Sequence, residues 1–222
     1  QLENHFETLL RAETPRTIEP LHFITKDKPF PSLPQDKIAR LGLVYSYVSD
    51  SNHNGASELA HIYAEVRGPY LSTSLANLAA AIVNTAKKKS PDAVYRAGTN
   101  GIGTYSQAME GLFLAEYDNV CSVFSREDWG IVFQSTCQAA LAELARTLRE
   151  LNAHIKNHLN TDCYLAYEIT EIVSALSGKL ETRTGELKGA LAAALKPVRE
   201  TAKSSLAELL DETRRKIGML QM

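Results

Sequence analysis

Apolar side chains recur along most of this chain at steps of three and four, the period of a helix with one buried face. The clearest stretch follows Ser125 and Asp128, which predict a cap. There Trp129, Phe133, Cys137, Ala140, Leu144, Leu148, Leu151, Ile155 and Leu159 form one stripe. Burying each large member contributes ~1.5–3 kcal/mol, so the stripe must face a partner surface. Trp129, Phe133, Leu144 and Leu151 are its expected core. Thr161 is the expected cap of a further helix through Leu165, Ile169, Ile172, Leu176 and Leu180. After a turn at 182–185, a long last helix carries Leu187, Leu191, Leu195, Val198, Leu206, Leu209, Ile217 and Leu220, with a bend expected at Pro197.

The first half is more broken. A helix over 3–13 stops before Pro15, because the residue preceding proline is pushed out of the α region. Pro15, Pro20, Pro29 and Pro31 then exclude a continuous helix or central strand over 14–31. Ile18, Leu21, Phe23, Ile24 and Phe30 keep that segment apolar, so it reads as extended chain packed across a bundle. Ser32 with Gln35 fits a capping box and predicts a helix to about 49. The polar run 50–55 (DSNHNG) predicts a loop. A helix over 56–88 follows, with a kink or break at Pro69, whose cost in a helix interior is ~3 kcal/mol. A short helix at 92–98, a turn through Gly98, Gly101 and Gly103, and a helix over 104–123 complete the reading. Met109, Leu112, Phe113, Glu116, Tyr117 and Val120 share one face of that last helix. No useful strand alternation and no fixed repeat period is present. The expected fold is all-α: long antiparallel helices in stacked helical bundles, part of an elongated rod. The expected division is 1–95, a first bundle with the Pro-rich extended segment at 14–31, and 96–222, a second bundle.

Composition narrows the function classes. With 24 Lys and Arg against 26 Asp and Glu, the net charge of −2 gives no global argument for nucleic acid or a membrane surface. Cys121, Cys137 and Cys163 are an odd set without paired spacing, which suits a reducing compartment. The longest nearly apolar run, 75–83, is far short of the ~20 residues of a membrane span. No signal peptide opens the chain, and its start at Gln1 in a helical pattern reads as part of something longer.

Little in the sequence suggests chemistry. His154 and His158 stand four apart, with Asp162 and Cys163 just beyond, a spacing that could hold a metal. The plainer reading is two histidines near a helix C-terminus, interacting with its dipole and with solvent. Glu58-x-x-His61 is half of a di-iron motif whose other half is missing. The glycines at 98, 101 and 103 are in the wrong order for a dinucleotide loop, and no Lys-Ser/Thr follows for a P-loop. The cysteines fall on or near apolar faces as small core residues. Carboxylates on the helices read as a solvated face. No catalytic, cofactor or metal residue is assigned, and the chain is expected not to be an enzyme. Two basic clusters remain as candidate binding residues: Lys87, Lys88 and Lys89, and Arg214, Arg215 and Lys216. Either could meet an anionic lipid or an acidic partner.

Longer strings carry a resemblance. RGPYL at 67–71, GIGTY at 101–105, MEGLFLAEYDN at 109–119, LRELNAHIKNHLNTDCYLAYE at 148–168 and TGELKGALAAALKPVRETAKSSLAELLDETRRK at 184–216 resemble the fungal version of the seventy-kilodalton subunit of the exocyst complex. QLENHF at 1–6 and EPLHFIT at 19–25 are similar to it too. The resemblance spans essentially the whole chain and implies the N-terminal to middle part of a helical rod without enzymatic activity. It implies a role in tethering secretory vesicles to the plasma membrane during exocytosis. Implied partners are other exocyst subunits, Rho-family GTPases and phosphoinositides, chiefly phosphatidylinositol 4,5-bisphosphate, with no nucleic acid and no cofactor. The implied location is cytoplasmic, with recruitment to the plasma membrane at sites of polarised secretion. The family's lipid-binding bundle has no counterpart among these strings, so no lipid-site residue is carried over. The alternative is a lipid-surface module acting through the two basic clusters.

Overall fold

The computed structural model describes residues 1–221. Its helices are α1 (Leu2–Ala12), α2 (Pro20–Thr25), α3 (Gln35–Ser51), α4 (His53–Lys88), α5 (Ile102–Val123), α6 (Trp129–Lys156), α7 (Leu159–Thr184) and α8 (Lys188–Leu220). A 3₁₀ turn, Arg126–Asp128, leads into α6. Among the described residues there is no strand. The all-α expectation of long helices packed in bundles holds.

Several boundaries differ from expectation, each for a local reason. A six-residue helix forms inside the Pro-rich segment because Pro20 sits at its first position, where no N–H is needed. α3 begins at Gln35 behind Pro34 and no side chain caps it, so the Ser32 box does not form. The loop expected at 50–55 reduces to Asn52, whose side chain accepts from the Asn54 N–H and starts α4. α4 does not break at Pro69. Residues 92–98 make turns, not a helix, and the Tyr95 N–H donates to the Thr161 carbonyl at 2.8 Å. Gly101 takes φ of 89° to start α5, a left-handed conformation that costs a glycine nothing. α6 ends at Lys156, and Leu159 opens α7 ahead of Thr161, with His158 as its cap position.

Two apolar cores organise the helices. The smaller contains Phe6 and Leu10 of α1, Leu41 and Tyr45 of α3, and Leu59 and Tyr63 of α4. Phe124 sits at its centre, meeting Phe6, Tyr45 and Tyr63 edge to face at 6.3, 4.9 and 5.3 Å between ring centroids. The larger takes the rest of α4 and α5, most of α6, and the inner faces of α7 and α8. Three helices feed both: α4, α5 and α6 each change core part-way along. In α6 the change falls between Val132 and Phe133. α4 and α6 share the most extensive helix contact.

The segment expected to cross the bundle does so. Ile18, Ile24 and Phe30 pack against the larger core. Phe30 fills the space above Gly111 of α5 so closely that an ideal Cβ there would stand 2.1 Å from its ring. Gly111→Ala should therefore unseat Phe30 at a cost of ~1–3 kcal/mol, the usual range for overpacking. A urea melt unchanged within 0.5 kcal/mol, an estimate of surface-level effects, would show that the segment is loosely laid.

Phe133, Leu144 and Leu151 are fully buried, as their spacing predicts. Trp129 is not. It is half-buried at the first turn of α6, with its indole N–H donating to the Phe124 carbonyl at 2.8 Å and its ring edge-on to Tyr117. The stripe is still opening there, and part of the ring meets solvent. Trp129→Ala should cost ~2 kcal/mol in a thermal or urea melt, below the core range of ~3–5 kcal/mol.

Candidate interaction surfaces and the buried polar centre

A buried ion pair lies where the two cores meet. Arg67 of α4 and Glu116 of α5 are both almost fully buried and form a bidentate pair. Arg67 Nε donates to Glu116 Oε2 at 2.9 Å and Nη2 to Oε1 at 2.7 Å. The Tyr63 hydroxyl donates to Glu116 Oε2 at 2.5 Å. Arg67 Nη1 donates to Thr14 Oγ1 at 3.1 Å, and its guanidinium lies over the Tyr70 ring at 4.5 Å. Asn119, one turn on from Glu116, accepts from the Leu33 N–H at 3.2 Å. The network thus grips both ends of the chain segment between α1 and α3. Burial pushes the Tyr63 phenol well above its ordinary range, and the Glu116 carboxylate adds to this while Arg67 opposes it. Burial opposes the Arg67 charge, but Glu116 and Tyr63 outweigh it and the guanidinium ends above its usual value.

A second internal tie sits at the corner of α6 and α7. Asp162 is fully buried. Lys89 Nζ stands 2.7 Å from its Oδ1, and His154 Nε2 donates to its Oδ2 at 3.1 Å. His158 stacks on His154 at 4.4 Å between ring centres and donates from Nδ1 to the His154 carbonyl at 2.9 Å. The histidines therefore serve the helix end and one buried carboxylate. Among the described residues no group of three or more His, Cys, Asp or Glu is placed to hold a metal. Glu116 and Asp162 correct the expectation that helix carboxylates form a solvated face. The spacing that set Glu116 among Leu112, Phe113 and Val120 was the available signal. Cys137 and Cys163 are buried and Cys121 half-buried, all as free thiols.

The basic clusters fare differently from one another. Lys87 Nζ pairs with Glu150 of α6 at 2.7 Å, and Lys89 is held by Asp162. Only Lys88 of that cluster points outward without an ion pair. Arg214, Arg215 and Lys216 are exposed on α8, and Lys216 pairs with Glu212 at 3.4 Å. The two clusters do not come together: one closes α4 and the other lies on the distal part of α8. That part of α8 also exposes Leu206, Leu210, Ile217 and Leu220. No helix among the described residues is long and apolar enough to cross a membrane.

Long packed helices with charged groups turned inward as ties between them define an all-helical bundle fold. Residues 99–221 match the family model described as the Exo70 exocyst complex subunit, C-terminal. Over all 222 residues the chain is 87% identical to the exocyst complex protein EXO70 of Gibberella zeae, and it spans 35% of that protein. It is 66% identical to the exocyst complex protein exo70 of Neurospora crassa over 228 aligned residues, spanning 36% of it. Its fold matches that of S. cerevisiae Exo70 with a TM-score of 0.76 at 19% identity, covering 95% of this chain and 36% of the other. The chain belongs to the Exo70 exocyst subunit family. It spans about a third of the length of the curated relatives it matches.

Proposed function

We propose that this chain is a structural segment of an exocyst subunit, working without catalysis to help tether secretory vesicles to the plasma membrane. The observation that carries this reading is the 87% identity across the whole chain to an exocyst complex protein. The bidentate Arg67–Glu116 pair supports it, because a tether needs helices held at fixed spacing and that pair locks α4 to α5. The partners in this reading are other exocyst subunits, Rho-family GTPases and, at the cytoplasmic face of the plasma membrane, phosphoinositides. The division at 95/96 belongs here too, as a proposed boundary between two bundles that share their cores through α4, α5 and α6. Size-exclusion chromatography of the purified chain with purified exocyst subunits tests the main reading. Co-elution with at least one subunit is expected; elution apart from every one of them would sink it.

The basic clusters enter as the candidate lipid contacts. Two of the three lysines at 87–89 are engaged in ion pairs, so the first cluster presents little free charge. At ~1 kcal/mol per basic residue near an anionic surface, the remainder supports weak attachment. Sedimentation with vesicles containing phosphatidylinositol 4,5-bisphosphate should leave most of the chain in the supernatant at physiological salt. Strong, salt-sensitive pelleting that Arg214→Glu with Arg215→Glu abolishes would move the lipid contact onto α8.

A further inference from the structure

Two hydroxyl residues in the chain precede a proline, in Thr14-Pro15 and Ser90-Pro91. Proline-directed protein kinases read that dipeptide in extended chain, and the proline itself keeps the residue before it out of the α region. Thr14 lies between α1 and α2, and Pro15, Arg16 and Thr17 after it are exposed. What sets Thr14 apart is what its hydroxyl holds. Its Oγ1 donates to the Leu10 carbonyl in the last turn of α1 at 2.7 Å. It also accepts from Arg67 Nη1 at 3.1 Å, the guanidinium nitrogen that Glu116 leaves free. This contact lies part-way along α4, the whole length of α1 from where the chain begins. It is the first of a series of ties on the segment 14–33. After it the Ile18 N–H donates to Ser74 Oγ at 3.0 Å, Phe30 sits over Gly111, and Asn119 holds Leu33.

A phosphate on Thr14 cannot keep this geometry. The ester oxygen has no proton to give, so the bond to the Leu10 carbonyl is lost. At neutral pH the group carries a charge of about −1.5 to −2, placed at the C-terminal end of α1, where the helix dipole is already negative. Arg67 is the buried cation beside it, and its guanidinium is already matched by both oxygens of Glu116. If the phosphate takes Arg67, a buried carboxylate loses its countercharge. If it does not, a dianion stands unpaired beside that carboxylate. Either way the first tie opens. The closed form engages the hydroxyl, so a kinase takes the fraction of chain whose segment has lifted. The phosphate then bars its return.

We infer that Thr14 is a phosphorylation site for a proline-directed protein kinase, and that its modification releases the segment 14–33 from α4 and α5. The γ-phosphoryl group of MgATP passes to Thr14 Oγ1. A new P–O bond replaces the bond to the bridging oxygen, ADP leaves, and the hydroxyl proton goes to the kinase's base. In the test, the purified chain is incubated with a cyclin-dependent kinase and MgATP, and the sites are mapped by mass spectrometry. Phosphate is expected at Thr14 as well as at the exposed Ser90. Brief proteolysis should then cut within 14–33 about ten-fold faster, the scale of local opening when two hydrogen bonds are lost. Phosphatase treatment should restore the original rate, which it would not do for a chain merely damaged. Ser90→Ala should change none of this. Thr14→Ser, which keeps both hydrogen bonds, should behave as wild type. Thr14→Val should take no phosphate at that position, and kinase treatment should not speed its cleavage. Thr14 left bare in the folded chain would overturn the inference, whether or not a peptide of residues 8–20 accepts phosphate. So would a phosphorylated Thr14 with cleavage unchanged or slowed. A chain of its relatives' full length in which Thr14 takes no phosphate would overturn it too.

Discussion

Glu116→Ala should cost ~3–5 kcal/mol in a urea melt, because it leaves a buried guanidinium with no countercharge. Arg67 has almost no solvent to turn to, and its other partners, Thr14 Oγ1 and the Tyr70 face, are uncharged. The Tyr63 hydroxyl would lose its acceptor at the same time. Arg67→Leu alone should be comparably damaging, since it strands the carboxylate. The pair replaced together, Arg67→Leu with Glu116→Leu, should cost less than either single change, because desolvation of both charges is then avoided. A loss below 1 kcal/mol for Glu116→Ala would show that water reaches the pair. The damage should also be local. With the network open, Thr14 and the Asn119 clasp on Leu33 loosen together, so native-state proteolysis should cut within 14–33 sooner than elsewhere.

The helices were legible in the sequence because burial on one face leaves a period of three and four, and every long element announced itself that way. Their ends were not, because an end depends on what is packed beside it. Pro69 removes one backbone donor from α4, yet α4 lies along α6 so closely that a Cβ on Gly68 would approach the Thr136 carbonyl at 3.3 Å. Packing over that length outweighs a local cost of ~3 kcal/mol. The run at 50–55 looked like a loop because Asn, Ser and Gly compete with helix, but an Asn side chain can as easily cap one. Charge was the harder part. Glu116 and Asp162 have the residue type of a surface and the spacing of a core, and residue type alone misplaced them. What resolves the conflict is the partner, Arg67 on α4 or Lys89 just past its end, which is far away in sequence and invisible to any local reading. The basic clusters were half legible: their residues stood out, but that Lys87 and Lys89 are tied down by Glu150 and Asp162 emerges only from the packing.

Phe133→Ala should cost ~3–5 kcal/mol, the range for emptying an aromatic site in a packed core. The ring is fully buried and meets Phe113 and Tyr117 edge-on at 6.3 and 5.0 Å between centroids. It is the first α6 residue of the larger core, and its neighbour Val132 belongs to the smaller one. The cavity therefore opens at the point where α6 passes from one core to the other. Because α4 and α5 pass between cores as well, loosening one core should loosen the helices that build the other. Phe133→Ala and Leu41→Ala, placed in different cores, should then lower the same single unfolding transition. Following the melt by indole fluorescence, which reports Trp129 beside the smaller core, and by helical circular dichroism, which is dominated by the larger, should give coincident curves for both variants. Two transitions, with each variant shifting only its own, would mean that the cores unfold separately and that α4 frays between Val66 and Tyr70, where its buried side chains change core.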